Sequence, residues 1–146
     1  MPEAFSRSEM LIGAEALERL KESKVAIFGI GGVGSFAVEA LARTGVGSFV
    51  LTDSDRVEES NINRQLHATC RTIGRLKVEV MKERIRSINP EAKVWTQPVF
   101  YTKENRTELL QGDVDYVIDA VDTVSAKIDL VVLCGEMGVP IVSCMG

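Results

Sequence analysis

The feature that most constrains this chain is a glycine cluster between an apolar run and a helix-like segment, IFGIGGVGSFAVEALARTG, residues 27–45. Gly29, Gly31 and Gly34 follow the spacing G-x-G-x-x-G. Between a strand and a helix, the first glycine permits a tight turn, the second lets the backbone approach phosphate, and the third lets the helix pack on the strand. Gly32 is a further residue of the turn without a side chain, and the backbone amides at the start of the helix favour the binding of an anion. The stretch predicts a nucleotide-binding turn; the alternative is a tight turn without a ligand.

Two acids follow the next predicted strand, SFVLTDSD, residues 48–55. Asp53 lies nineteen residues after Gly34, where a carboxylate accepts hydrogen bonds from ribose hydroxyls. Asp55 lies beside it and joins the predicted nucleotide-binding residues. A dinucleotide bound for hydride transfer and an ATP both satisfy this pattern, so the choice between them remains open at this point.

Strand-like and helix-like segments alternate along the chain in the order αβαβ(loop)αβαβαβ. One helix or a pair of turns is predicted over residues 9–23, and a clear helix over residues 75–89. This alternation predicts an α/β fold with a doubly wound, mostly parallel, Rossmann-like sheet. Residues 1–146 form a single predicted domain. Because the chain ends just past the apolar run VPIVSC, we expect it to be the N-terminal part of a longer protein.

Composition excludes several classes of protein. The formal net charge of −4 gives no general attraction to DNA or to anionic membranes. The three cysteines have no C-x-x-C spacing, which argues against a disulfide framework and indicates a reducing, cytoplasmic location. The late apolar segment is interrupted by Glu136 and Pro140 and is too short to span a bilayer.

A polar loop and a lysine favour ATP over NAD. The loop SNINRQ, residues 60–65, supplies hydrogen-bond donors and one cation, and Lys77 follows near the start of the next helix. Displacement of pyrophosphate moves charge onto the leaving oxygens, which cations stabilise. The predicted nucleotide-binding residues of this region are Asn61, Asn63, Arg64, Gln65 and Lys77. The open alternatives are an exposed loop cation for Arg64 and a solvated helix face for Lys77.

Asp122 is the last residue of the strand-like run YVIDAVD, at the edge of a parallel sheet where ligands bind. A carboxylate there, near a polyphosphate, predicts a magnesium ligand. The alternative is an N-cap for the helix that starts near Thr123. Together, Arg64, Lys77 and Asp122 are the predicted catalytic residues, and their residue types favour adenylyl transfer.

Four motifs in this order resemble the ThiF/MoeB/HesA superfamily: GIGGVG, DSDRVEESNINRQ, TIGRLKVEVMKERIRSINP and VIDAVDT. The stretches FSRSEMLIG, EALARTGVG and NRQLHA are more similar to its tRNA threonylcarbamoyladenosine dehydratase branch. The resemblance implies Mg-ATP-dependent adenylation of a carboxylate, and in this branch cyclisation of threonylcarbamoyladenosine in tRNA with loss of water. Gly31 and Gly32 would then face the phosphates and Asp53 the ribose, while Asp122 would hold magnesium.

The resemblance also implies a homodimer, in which Arg7 reaches the partner's site as a fourth catalytic residue; the alternative for Arg7 is a solvated N-terminus. Three rival functions remain open. The first is adenylation of the C-terminal glycine of a ubiquitin-like sulfur carrier, with a sulfur-transfer partner. The others are an NAD(P)-dependent oxidoreductase and a non-catalytic nucleotide-binding module. A basic set along the predicted helix is a candidate tRNA surface, or a solvated face balanced by Glu79 and Glu83. That set is Arg71, Arg75, Lys77, Lys82, Arg84 and Arg86.

Overall fold

A computed structural model of the chain describes residues 3–111 and 113–145. Its centre is a five-stranded parallel sheet in the order β3-β2-β1-β4-β5. The strands are β1 (Lys24–Phe28), β2 (Ser48–Thr52), β3 (Lys93–Gln97), β4 (Tyr116–Asp119) and β5 (Ile141–Ser143). The chain moves outward from β1 to β3 and then crosses back to β4, which confirms the predicted doubly wound α/β fold.

Helices cover both faces of the sheet. They are α1 (Ser6–Ile12), α2 (Ala14–Glu22), α3 (Gly34–Thr44), α4 (Lys77–Ile88), α5 (Arg106–Leu109) and α6 (Val124–Met137). Side chains of β1 alternate between the two cores because successive residues of a strand point to opposite faces. Ile27 packs in the core beneath α3 and α4, and Phe28 in the core beneath α5 and α6. No helix within the described residues has the length and apolar character needed to cross a membrane.

The turn between β1 and α3 requires glycine at two positions. Gly29 has a φ of 91°, and a Cβ there would lie 2.5 Å from the carbonyl oxygen of Ala120. A Cβ at residue 34 would lie 1.8 Å from the carbonyl oxygen of Gly29. Both contacts are shorter than side chains tolerate, so the sequence spacing reflects a close approach of β1, α3 and the end of β4. This approach brings the turn to the carboxyl edge of the sheet.

Two helix boundaries differ from the sequence prediction. The segment 9–23 is split because Gly13, with a φ of 88°, ends α1 and precedes α2. The helix predicted from residue 75 begins at Lys77, because Leu76 is extended and pairs with Arg56 in an antiparallel bridge. Arg71 and Arg75 therefore lie on the loop before α4. The predicted end of that helix at Asn89 is confirmed.

Candidate nucleotide-binding site

A cleft of about 190 Å³ opens at the carboxyl ends of β1, β2 and β4, where a doubly wound sheet binds ligands. Seven of the residues predicted from the sequence line it: Gly29, Gly31, Asp53, Asp55, Gln65, Lys77 and Asp122. They come from five separate segments of the chain, and the parallel topology alone brings them together. The cleft is the strongest candidate for a functional site.

The residue between the first two glycines is held at both its backbone groups. Ile30 donates its N–H to Asp53 Oδ2 at 2.7 Å, and its carbonyl oxygen accepts a bond from His67 Nε2 at 2.7 Å. Burial lowers the pKa of His67 more than its bond to Ile30 raises it, so the ring is neutral near pH 7. Asp53 Oδ1 also accepts the N–H of Asp55 at 2.8 Å. The turn is therefore fixed before any ligand binds.

Lys77 is the buried cation of the cleft. It is 5% exposed, and its Nζ lies 3.8 Å from Asp55 Oδ2, while the Asp55 side chain is 69% exposed. The alternative of a solvated helix face is wrong for this residue. Lysine is almost never fully buried without a partner. In this ion pair the distance is long, and only the lysine is buried while the carboxylate is largely exposed. The ammonium is placed where an anion in the cleft would complete its coordination.

Gln65 presents a second unsatisfied group to the cleft. It is buried, and among the described residues its Oε1 has no hydrogen-bond partner. Its Nε2 would lie 3.7 Å from a Cβ on Gly31, so the amide stands beside the glycine turn. Buried polar atoms are nearly always paired, and an orphan beside a cleft is an observation that fits a bound ligand.

The other three residues of the polar loop lie beside the cleft without lining it. Asn61 is buried, and its Oδ1 accepts the N–H of Glu58 at 2.9 Å, which closes the 3₁₀ turn Glu59–Asn61. Asn63 and Arg64 are exposed. The Arg64 stem passes Gly32, with Cγ 3.6 Å from where a Cβ would stand, and Nη1 donates to Asn63 Oδ1 and to Ser60 O, both at 2.9 Å.

Asp122 lies one residue before Thr123, the N-cap of α6, so the alternative N-cap role belongs to Thr123. Asp122 is exposed, and no side chain among residues 3–111 and 113–145 pairs with it. In the same part of the chain, no three His, Cys, Asp or Glu side chains are grouped so that they could hold a metal ion. Magnesium is commonly held by one or two carboxylates together with substrate phosphates. One free carboxylate at the cleft fits that mode.

Arg7 lies apart from these residues, on the exposed surface of α1. No described side chain of the same chain pairs with it. The same helix exposes Met10 and Leu11, which are 81% and 86% exposed. Arg7 therefore plays no part in the cleft of its own chain.

Sequence reasoning missed the apolar wall of the cleft. Val99, Phe100 and Tyr101 follow β3 and face the cleft together with Val121. Phe100 is 58% exposed, whereas the Tyr101 hydroxyl is buried and donates to Asp129. Burial, with the Asp129 carboxylate, raises the pKa of Tyr101 above its usual value, so the phenol stays protonated. The rule that ligands bind at the ends of parallel strands could have drawn attention to the segment after β3.

The candidate tRNA surface is only partly available. Arg75 pairs with Glu83, and Arg84 pairs with Glu39 at 2.7 Å. Glu79 accepts a bond from Thr96 and also interacts electrostatically with Arg75. Lys77 is buried in the cleft, which leaves Arg71, Lys82 and Arg86 as the members without a side-chain partner among the described residues.

The comparison with known families identifies the chain. The model of the ThiF family matches residues 5–146, which is nearly the whole sequence. The chain belongs to the ThiF family. The resemblance inferred from its motifs is thereby confirmed, and so is its particular similarity to the dehydratase branch.

The relatives of this ThiF-family chain fall in two groups. It is 52% identical over 142 residues to tRNA threonylcarbamoyladenosine dehydratase of Bacillus subtilis, covering 97% of this chain and 56% of that protein. It is 37% identical over 128 residues to the sulfur carrier protein adenylyltransferase of Thermus thermophilus, covering 86% of this chain and 47% of that protein. The chain thus spans about half the length of the curated relatives it matches.

A solved structure shows the same fold with a nucleotide. The crystal structure of the Escherichia coli tRNA N6-threonylcarbamoyladenosine dehydratase TcdA in complex with ATP matches with a TM-score of 0.94 at 42% identity. The match covers 97% of this chain and 58% of that one. The ThiF-family fold of this chain therefore extends over its five strands and the helices around them.

Proposed function

We propose that this chain is the ATP-binding part of an adenylating enzyme that activates the carboxylate of threonylcarbamoyladenosine in tRNA. The activated carboxylate is then cyclised with loss of water. The observation that carries the proposal is the buried ammonium of Lys77 in a cleft that also holds the glycine turn and Asp122. The names of relatives support the choice of substrate: those 52% and 43% identical bear the name tRNA threonylcarbamoyladenosine dehydratase.

The two sides of the cleft differ in polarity, which supports a defined orientation for the nucleotide. Lys77 and Gln65 lie on the side of the sheet that α3 and α4 cover, next to Gly31. Phe100 and Tyr101 lie toward α5 and α6. An aromatic and apolar wall suits a nucleobase, and amides with a cation suit phosphates. We place the base against the apolar wall, the ribose at Asp53 and the phosphates over the glycine turn.

The chemistry is an in-line attack by a carboxylate oxygen on the α-phosphorus, with pyrophosphate as the leaving group. Positioning and charge neutralisation supply most of the catalysis in such transfers. Lys77 neutralises phosphate charge from its buried position. The exposed guanidinium of Arg64, which now bonds the loop carbonyl of Ser60, turns toward the polyphosphate over Gly32. Attack of the substrate's own side chain on the activated carbonyl then expels AMP and closes the ring.

Magnesium fits this site through Asp122, with the remaining ligands supplied by phosphate and water. When bound, the ion would neutralise the charge that develops on pyrophosphate. The fold contributes by placing the Asp122 carboxylate at the cleft without a side-chain partner among the described residues.

We further propose a homodimer in which Arg7 serves the partner's cleft. Its support is the absence of a partner for Arg7 within the described part of its own chain, next to the exposed apolar pair Met10 and Leu11. We expect a cytoplasmic protein that binds its tRNA transiently, through Arg71, Lys82 and Arg86.

The deciding experiment is incubation of the intact protein with Mg-ATP and tRNA that carries threonylcarbamoyladenosine, followed by mass spectrometry of the nucleosides. The proposal expects a nucleoside lighter by one water and the release of AMP and pyrophosphate. An unchanged nucleoside would contradict it. Transfer of AMP to the C-terminal glycine of a ubiquitin-like carrier would instead favour the sulfur-carrier activity, which the Thermus thermophilus relative makes the second candidate.

A further inference from the structure

A buried carboxylate outside the predicted set lies directly beneath the cleft. Asp119, the last residue of β4, is 0% exposed. Its Oδ2 accepts the hydroxyl of Ser143 at 2.7 Å and lies 3.2 Å from Lys127 Nζ. The Lys127 ammonium, on a side chain 13% exposed, also donates to the carbonyl of Cys144 at 2.6 Å. One ionic group thus joins the ends of β4 and β5 to α6.

The same carboxylate holds the turn that leads into the cleft. Asp119 Oδ1 accepts the N–H of Val121 at 3.1 Å, one residue before Asp122. Ala120, which lies between Asp119 and Val121, is fixed as well, because its N–H donates to the carbonyl oxygen of Phe28 at 2.8 Å. Asp122 itself has no side-chain partner among the described residues. The position from which its side chain extends is therefore set by the backbone of residues 119–121 rather than by contacts of its own.

A buried ion pair is a costly way to join two strands and a helix. Taking both charges out of water costs several kcal/mol, and apolar residues of similar size are often at least as stable. The bond to Val121 also needs an acceptor oxygen at this position. Both considerations favour a positioning role over simple stabilisation.

We propose that Asp119, with Lys127, is a positioning residue that keeps the Asp122 carboxylate directed at the metal-bound phosphates. The inference rests on the proposed function, because Asp122 is the assigned magnesium ligand there. Asp119 acts through Val121 and does not touch the nucleotide. Its loss should weaken the coupling between magnesium and ATP while leaving the contacts of the nucleotide itself in place.

The test is a measurement of ATP affinity in excess Mg²⁺ and in EDTA by calorimetry, on the intact protein, in place of activity. In the wild type, Mg²⁺ should tighten ATP binding by about fivefold or more, as is typical of coupled ligands. Asp119→Leu, which keeps the approximate size of the side chain but offers no acceptor to the N–H of Val121, should remove most of that gain and leave the affinity in EDTA within about twofold. When Asp122→Ala is added to this variant, Mg²⁺ should tighten ATP binding by as much as it does in Asp122→Ala alone. The reason is that substitutions of residues that act through one another have non-additive effects.

The matched control is Asp129→Leu. Asp129 is another buried carboxylate, paired with Arg106 at 2.8 Å, but it makes no bond to residues 120–123. It should lose stability and keep the magnesium gain. If Asp119→Leu does not fold, Ser143→Ala removes one bond to the same carboxylate, and faster amide exchange at Val121 should accompany a smaller magnesium gain.

The inference is overturned if Asp119→Leu keeps the magnesium gain, if it loses affinity equally with and without Mg²⁺, or if its effect adds to that of Asp122→Ala. Failure of the proposed function is a different result. In that case the wild type makes no adenylate from tRNA, whereas the binding measurements still decide the role of Asp119.

Discussion

At the scale of single residues, the site contains groups that are poorly satisfied by the protein alone. Lys77 is buried against one distant and mostly exposed carboxylate, and Gln65 has an orphan carbonyl oxygen beside the glycine turn. Such arrangements cost folding free energy and are concentrated at functional sites. By contrast Lys127, another little-exposed lysine, lies 3.2 Å from the buried carboxylate of Asp119. The contrast between the two lysines indicates that the Lys77 ammonium is placed for an anion in the cleft.

Replacing Lys77 separates stability from function. Lys77→Met keeps the length of the side chain and removes a buried charge, so the free energy of unfolding should stay the same or rise by about 1 kcal/mol. ATP–pyrophosphate exchange by the intact protein should fall about 10²–10³-fold, as for the loss of one electrostatic contact in a transition state. Urea unfolding and exchange assays measure the two effects.

Lys93→Met is the matched control for that substitution, since Lys93 is exposed at the amino end of β3 and is absent from both the cleft and the proposed tRNA surface. It should leave exchange unchanged. A Lys77→Met protein that is much less stable, or one with full exchange, would contradict the assigned role.

At the scale of elements, two loops hold the glycine turn from opposite sides. The segment after β2 supplies Asp53 to the N–H of Ile30, and the polar loop supplies His67 to its carbonyl. Ser35, at the start of α3, ties the same loop down by accepting the N–H of Leu66 at 3.2 Å. A turn fixed in this way loses little conformational entropy when a nucleotide binds, which is the advantage of preorganisation.

The buried ring of His67 predicts a pH dependence of stability. Its folded-state pKa lies below the ordinary value of 6.5, chiefly because of burial, so between those two pKa values the unfolded chain binds more protons. The stability that the neutral ring contributes is present above pH 6.5 and is lost as pH falls through the window below it. Asp53, which favours the charged ring, and Lys77, which opposes it, face the same group.

His67→Gln, which keeps a donor for Ile30 but cannot titrate, should therefore lose less stability on acidification than the wild type. The difference between the two unfolding free energies, followed by urea titration from pH 7.5 to pH 5, is the quantity to measure. Parallel pH profiles for both proteins would show that the ring does not titrate as inferred.

The sequence allowed the elements to be predicted wherever periodicity and local turn chemistry determine them. The glycine spacing, the acid after β2 and the lysine near the start of α4 were found because ligands gather at the ends of parallel strands. The start of α4 was misplaced by two residues because Leu76 pairs with Arg56, and that contact is tertiary. Asp119 was missed for the same reason: the fold brings it together with Lys127 and Ser143, which follow it by eight and 24 residues.

At the scale of the whole molecule, the cleft of one chain supplies a glycine turn, one buried cation and one free carboxylate. Arg64 is the further cation beside it, held by its own loop. A triphosphate carries more charge than Lys77 alone neutralises, so additional cations should stabilise the displacement of pyrophosphate. Arg7 from a second copy is the proposed source, because α1 carries it on an exposed surface next to Met10 and Leu11.

If Arg7 acts across a dimer, two inactive variants should complement each other. Arg7→Ala keeps an intact cleft but offers no arginine to its partner, and Lys77→Met lacks the cleft cation but still presents Arg7. Because a mixed dimer contains one cleft with both cations, co-expression or mixing of the two variants should restore ATP–pyrophosphate exchange that neither shows alone. Two copies of one variant serve as the control, and light scattering establishes the dimer. A monodisperse monomer, or a mixture that stays as inactive as its components, would contradict a site shared between two chains.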